Sequence, residues 1–417
     1  MFSLTSPHSI LYDRKLALFM ILSICAIVYI PLYNPDFQDA WDNQWIVFNQ
    51  YTEGGLSPAN IKHILFDFYH GQYAPVNQFF YSSIYALNGY DPLLFHFCSL
   101  MIHLFNTVLV YLFIEKLLKT CGHDDAICAK TSFLTTFLFS IHPAVVEPVS
   151  WLPASKILLY SLFYLLALRA YLDYMSTERT GQYVLAMVYF ILSFGAKERA
   201  VSLPFAFFII DYFVKGRQYA FSGKVLLEKV PFLLLAVLSG ILAVYSQVYS
   251  AGGMLADQNE YPLYQRLMIA SYTLAGYFTN IVLPLRINHL YPSPFNYMKP
   301  LPVTLYAYTV ALIIIAIYLI RNFTVNYVYF GICFFVLHLV MCIHPIPATR
   351  VATVADRYAY ISAIGVLFPV SYYLAKFKQR TIAIRIIVLY CLLLSVYSYT
   401  RTSDWQGNAV LKDSINS

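Results

Sequence analysis

Charge is what this sequence has least of. Asp, Glu, Lys and Arg make up 12% of its 417 residues, about half the share usual in soluble domains. Hydrophobic residues make up 59%, and the mean hydropathy is +0.61. That balance excludes an ordinary soluble fold. Apolar runs of about 20 residues, each enough to span ~30 Å of hydrocarbon, recur along the whole length. The seven cysteines include no C-x-x-C pair, and five of them (Cys25, Cys98, Cys333, Cys342, Cys391) lie inside apolar runs, which argues against a zinc site or a disulfide framework. No A-x-A cleavage pattern occurs in "YIPLYNPDF", so the first apolar run reads as a retained anchor. Repeats, low-complexity tracts and flexible linkers are missing too. The expectation is one integral-membrane domain over 1–417, with no soluble domain after about residue 401. The net charge of +6 does not imply a nucleic-acid partner, because the basic residues lie in short loops between apolar runs.

Those loops set an expected topology. Basic residues gather at Arg14/Lys15, Lys116/Lys119/Lys130, Arg169/Arg179, Lys215/Arg217/Lys224, Arg321 and Lys376/Lys378/Arg380/Arg385. The positive-inside rule makes these loops cytoplasmic. About eleven transmembrane helices result, near 16–32, 92–114, 131–150, 157–174, 181–196, 200–214, 227–248, 302–320, 326–343, 358–375 and 382–400. A twelfth crossing at 267–285 would throw "KFKQR" outside, so that stretch is expected to be interfacial or re-entrant. The N-terminus is then cytoplasmic and the C-terminus external. A long first external loop, about 34–91, carries amphipathic juxtamembrane helices in "ANIKHILFDFY" and "VNQFFYSSIYAL". Gly252 and Gly253 mark a turn in a later external loop. External loops are otherwise short, and the one N-x-[ST] sequon, at 322–324, falls on a cytoplasmic helix end. A bacterial plasma membrane is therefore favoured over the endoplasmic reticulum.

The unusual polar motifs share the external face. "WDN" at 41–43 is followed by "YAPVNQFFYSSIYALNGYDPLLFHFCSLMIHLFNTVLVYL", "IHPAVVEPVSWLPASK", "FGAKERAVSLP", "LRINHLYP" and "VADRYAYISAIG". In this order they resemble the tetratricopeptide-containing transmembrane O-mannosyltransferases and their bacterial relatives, members of the GT-C class of polyprenyl-phosphate-sugar glycosyltransferases. His103 and Asn106 match a Leu-His-x-x-Asn helix, while His142, Glu147, Trp151 and Lys156 match a His-Pro-x-His-x-Glu-x-Val-x-Trp element and the Lys after it. The chain departs from the family at Asn43, Val145, Ser155 and Ile157. The resemblance implies a GT-C fold and an inverting enzyme that moves one sugar, mannose or similar, from a polyprenyl-phosphate donor to a hydroxyl, in the family a protein Ser or Thr. The partners it implies are the lipid-linked donor, a secreted or membrane acceptor protein and membrane lipids, with no nucleic acid.

Such a reaction needs a base near the acceptor oxygen. Asp42 has the right address. If its segment is helical, Asp39 shares its face and either positions the acceptor or raises the pKa of Asp42. The departing phosphate needs cations, for which Lys156, Lys197, Arg199, Arg350 and Arg357 are available. Arg357 is the first choice, because Arg grips phosphate bidentately; Lys156, Lys197 and Arg350 complete the donor set, with Glu198 pairing one of the lysines. His142 and Glu147, beside helix-ending prolines, are candidates for shaping the acceptor site. His103 and Asn106 face the bundle interior, either for the same purpose or as interhelical hydrogen bonds. No cofactor is certain; a divalent ion, Mg or Mn, on Asp39, Asp42, His142 and Glu147 is a further option. The rival classes are a lipid-linked sugar flippase or transporter, which would place acids near mid-membrane, and a non-catalytic scaffold.

Overall fold

The computed structural model describes residues 13–38, 42–250, 262–285, 287–289, 291–292, 301–321, 326–343, 352–377 and 380–407. Asp39, Arg350, the glycine pair at 252–253 and the sequon at 322–324 lie outside the described residues.

Each expected crossing holds a helix, and the described residues form a predominantly helical, multi-pass membrane protein. Six described helices are long and apolar enough to cross a membrane: Pro92–Thr120, Leu152–Thr177, Gly223–Ser246, Thr304–Arg321, Asp356–Lys376 and Ile384–Ser403. A seventh is obtained if the pair Asp125–Ser140 and Pro143–Ser150, bent by 63°, counts as one span. The bend has a local cause. His142 leaves the helix with φ −77° and ψ 130°, its Nδ1 accepts from the Ala144 N–H at 3.1 Å, and Pro143 opens the next turn. Shorter helices fill the other windows, namely Arg14–Val28, Thr180–Ala196, Leu203–Lys215 and Tyr327–Leu339. Between Ala352–Val354 and Tyr291–Pro292 runs a minimal antiparallel ladder.

The two amphipathic stretches of the first loop are the helices Pro58–Phe66 and Pro75–Asn88. Asn49 starts this subdomain by accepting from the Tyr51 and Thr52 N–H groups at 3.0 Å. Residues 31–38 are stitched to the other end of the chain. Gln406 donates to the Pro31 carbonyl at 2.7 Å, the Asp36 N–H donates to the Gln406 carbonyl at 2.7 Å, and Gln38 donates to the Trp405 carbonyl at 2.5 Å.

At one end of the bundle, called here the far end, several basic residues pair with carboxylates. Arg14 meets Glu115 at 3.3 Å, Lys116 meets Asp173 at 2.7 Å, and Lys119 bridges Glu115 and Asp125 at 3.3 and 3.4 Å. Deeper at the same end, Lys229 meets the fully buried Asp211 at 2.5 Å, and the Tyr171 hydroxyl donates to both Asp211 oxygens at 2.8 Å.

Leu263–Val282, the stretch expected to be interfacial or re-entrant, is one unbroken helix. Its contacts recur toward the opposite, site end. Tyr277 accepts from the Ala355 N–H at 3.0 Å and donates to the Ala355 carbonyl at 3.2 Å, and His142 Nε2 lies 2.8 Å from the Ile281 carbonyl. From Val282, held by the Tyr390 hydroxyl at 3.0 Å, the chain climbs along Arg380–Ser403. The Ile287 N–H reaches the Tyr397 hydroxyl at 3.3 Å, and Arg401 donates to the carbonyls of Ile287 and Asn288 at 3.1 and 3.2 Å.

Candidate functional site

At the site end the short helix Val146–Ser150 presents Glu147 from just beyond the bend. Glu147 is buried, and both its oxygens are taken by one residue: Oε2 accepts from the Arg357 N–H at 2.8 Å and Oε1 from Arg357 Nη1 at 2.6 Å. The Arg357 guanidinium carbon lies 4.9 Å from the centre of the Trp151 ring and 4.8 Å from that of Tyr358. Arg199 covers the same Tyr358 ring, its guanidinium carbon 3.4 Å from the centre. Lys197 lies 3.3 Å from Glu198, and Lys156 donates to Gln72 at 2.9 Å. Burial pulls the Glu198 carboxyl up, but Lys197, Arg199 and Lys156 together outweigh it and hold the group down at about 2. Arg199 and Arg357 thus share Tyr358, Glu147 holds Arg357, and Lys197, Arg199 and Lys156 act together on Glu198.

Asp356, the neighbour of Arg357 in sequence, belongs to a different assembly. It is buried and accepts from Arg401 at 2.6 Å and from the Tyr291 hydroxyl at 3.0 and 3.2 Å. The pair ties the last helix to the ladder and to the chain returning from Val282. Arg401 has a side-chain exposure of 2%; it had no place among the candidate residues, and nothing local in "SYTRTSDW" distinguishes it from a helix-end arginine.

The segment bearing Asp42 is joined to this group of cations through its neighbour Asn43. Asn43 donates to Gln38 at 3.4 Å, Gln38 donates to the Trp405 carbonyl, and the Trp405 ring stacks on Trp151, with centroids 6.1 Å apart, beside Arg357. Asp42 Oδ1 accepts from Trp45 Nε1 at 3.1 Å. One expectation needs correcting. Asp42 has φ +63°, so no regular right-handed helix passes through it, and the shared-face argument for Asp39 and Asp42 lapses; the left-handed region tolerates Asp because its short polar side chain bonds locally. Below Trp45 a cavity of about 50 Å³ is lined by Trp45, Asp67, Gln72, Asn77, Gln78 and Lys156.

The remaining candidates lie in the packed interior. His103 Nδ1 lies 2.7 Å from the Tyr360 hydroxyl, and Asn106 donates to the Leu158 carbonyl at 3.0 Å and to Tyr360 at 3.2 Å. These contacts are interhelical hydrogen bonds. Both ring nitrogens of His142 are used by backbone groups. Among the described residues no group of three His, Cys, Asp or Glu side chains is arranged to hold a metal.

Fold and site define a helical membrane protein with a cation-rich cluster at one end. An apo crystal structure of the Archaeoglobus fulgidus oligosaccharyltransferase is similar at a TM-score of 0.46 with 12% identity, covering 94% of this chain and 56% of that one. No family model matches the chain, and no curated protein matches it.

Proposed function

We propose that the protein is a GT-C-type glycosyltransferase that moves a single sugar, mannose or similar, from a polyprenyl-phosphate donor to a hydroxyl, with a protein Ser or Thr as acceptor. The observation that carries this reading is the gathering of cations at one place among the described residues: Lys156, Lys197, Arg199 and Arg357 around Glu147, Glu198 and Tyr358. A cluster of that composition favours an anion, and its position at the end of membrane-length helices favours an anion carried on a lipid. The ordered motifs of the sequence resemble a family with that chemistry.

In this reaction the acceptor oxygen attacks the anomeric carbon from the face opposite the phosphate. The carbon–oxygen bond to phosphate breaks, its electron pair leaves on the phosphate oxygen, and the acceptor proton passes to the Asp42 carboxylate. Trp45 fixes that carboxylate through its indole N–H. The cations stabilise the charge that grows on the leaving phosphate, and Glu147 holds the Arg357 backbone and guanidinium in one orientation. If a divalent ion takes part, Asp42, which makes no ion pair among the described residues, is the candidate carboxylate that would hold it.

Incubating the purified chain in nanodiscs with a panel of polyprenyl-phosphate sugars and a Ser/Thr peptide tests the reading. Release of polyprenyl phosphate with an inverted sugar–peptide linkage is expected from at least one donor. Absence of turnover across the panel refutes it.

A further inference from the structure

Arg357 is the obvious phosphate ligand by sequence, yet its charge is already matched by a buried carboxylate. Glu147 accepts from its backbone N–H at 2.8 Å and from Nη1 at 2.6 Å. Arg199 differs. It is 8% exposed, its guanidinium lies 3.4 Å from the centre of the Tyr358 ring, and among the described residues no carboxylate stands within ion-pair distance of it. Its sequence neighbour Glu198 pairs with Lys197 at 3.3 Å instead. Glu198 acts on Arg199 only at longer range, and a buried cation without a close ion pair is poorly compensated. Ring stacking offsets only part of that and leaves the guanidinium edge, with its fork of N–H donors, to an oxyanion.

We propose that Arg199 is the primary seat for the phosphate of a prenyl-phosphate ligand, held flat on Tyr358 and engaged ahead of Arg357. This rests on the lipid-phosphate reading above and deepens it. A lipid source is favoured over free phosphate by the surroundings of the turn Glu198–Ser202. The helix Gly223–Ser250 packs against that turn, and Leu234, Val237, Leu238 and Ile241 on it are exposed. A prenyl chain lying along this apolar face brings its headgroup to Arg199. Arg357, oriented by Glu147 and sharing the Tyr358 ring, then faces the bound phosphate as a fixed second cation.

The test measures binding of farnesyl phosphate and, separately, of inorganic phosphate to the full chain in nanodiscs. Arg199→Gln is expected to weaken farnesyl phosphate binding tenfold or more, and Arg199→Lys to recover part of the loss. The double variant Glu147→Gln/Arg357→Gln removes the pair as a unit and is expected to cost less than threefold. Wild-type affinity in Arg199→Gln, or a larger loss in the double variant, overturns the seat. If Arg199→Gln shows no cooperative unfolding transition, Tyr358→Leu takes its place, since it keeps both guanidinium groups and removes the ring. Several-fold weaker binding is expected there, and unchanged binding overturns the proposal. Inorganic phosphate binding as tightly as farnesyl phosphate overturns the lipid assignment. Sugar transfer that is indifferent to Arg199→Gln sinks the seat alone, whereas Arg199-dependent binding without transfer from any donor sinks the transferase reading alone.

Discussion

The two ends of the bundle use the same residue types in opposite ways. At the far end carboxylates meet Arg14 and Lys119 (Glu115), Lys116 (Asp173) and Lys229 (Asp211), while Lys215 and Lys376 lie over Tyr219 and Tyr372. At the site end, among the described residues, Arg357 pairs with Glu147 and Lys197 with Glu198, while Arg199 has an aromatic ring where a paired carboxylate would stand. A charge set closed on itself holds helices together and marks orientation. One left with positive charge in excess is arranged for something outside the chain.

Each end contains one deeply buried ion pair, and these give the largest expected effects. Arg401→Leu leaves Asp356 buried without its cation, and Lys229→Leu does the same to Asp211. Each should lower stability by about 3–5 kcal/mol in denaturant or thermal unfolding in detergent. The comparison is sharpened by function, because only Arg401→Leu should also reduce farnesyl phosphate binding, through the Asp356–Arg357–Tyr358 turn. An equal loss of binding in both variants would erase the distinction between the ends.

Next comes Asp42→Asn. Asn also tolerates the left-handed conformation at φ +63°, so backbone and indole contact survive while the proton-accepting charge is lost. Sugar transfer should fall ~10²-fold or more at saturating donor, with unfolding unchanged. Full activity in this variant would pass the role of base to another group.

A smaller effect follows from Glu198. Its folded-state pKa of about 2 lies below the unfolded value of about 4.3. The stability it contributes is therefore complete above about pH 5 and is lost as pH falls toward 2. Glu198→Gln should flatten the acid limb of the stability–pH curve, and an unaltered limb would show that the surrounding cations do not hold this carboxylate. The smallest effect belongs to the far-end surface, where Lys119→Ala should cost less than about 1 kcal/mol and leave binding unchanged.

The helices were legible because long apolar runs leave little choice of structure. The two first-loop helices were legible from their helical periodicity. The motif order also brought Glu147, Lys156, Lys197, Glu198 and Arg357 to one end. What could not be read were partners distant in sequence. Asp356 beside Arg357 looks like its natural counter-ion, yet bonds Arg401; His103 and Asn106 both answer to Tyr360. A single sequence carries periodicity and composition, but it does not show which of several buried side chains meet across helices. Nor does it reveal that Asp42 adopts a left-handed backbone, since residues around it carry no glycine or proline signal.

The stitching of Gln406 to Pro31 and Asp36 has a consequence in time. These partners are 375 residues apart, and at about 5–20 residues per second the ribosome needs roughly 20–75 s to make the stretch between them. Through that interval the helices can insert and pair with their neighbours, while the segment bearing Asp42 waits without Trp405 or Gln406 to anchor it. Competence then arrives late and abruptly, when the last helix docks. A nascent chain stalled before residue 401 should have its earlier helices inserted yet be inert.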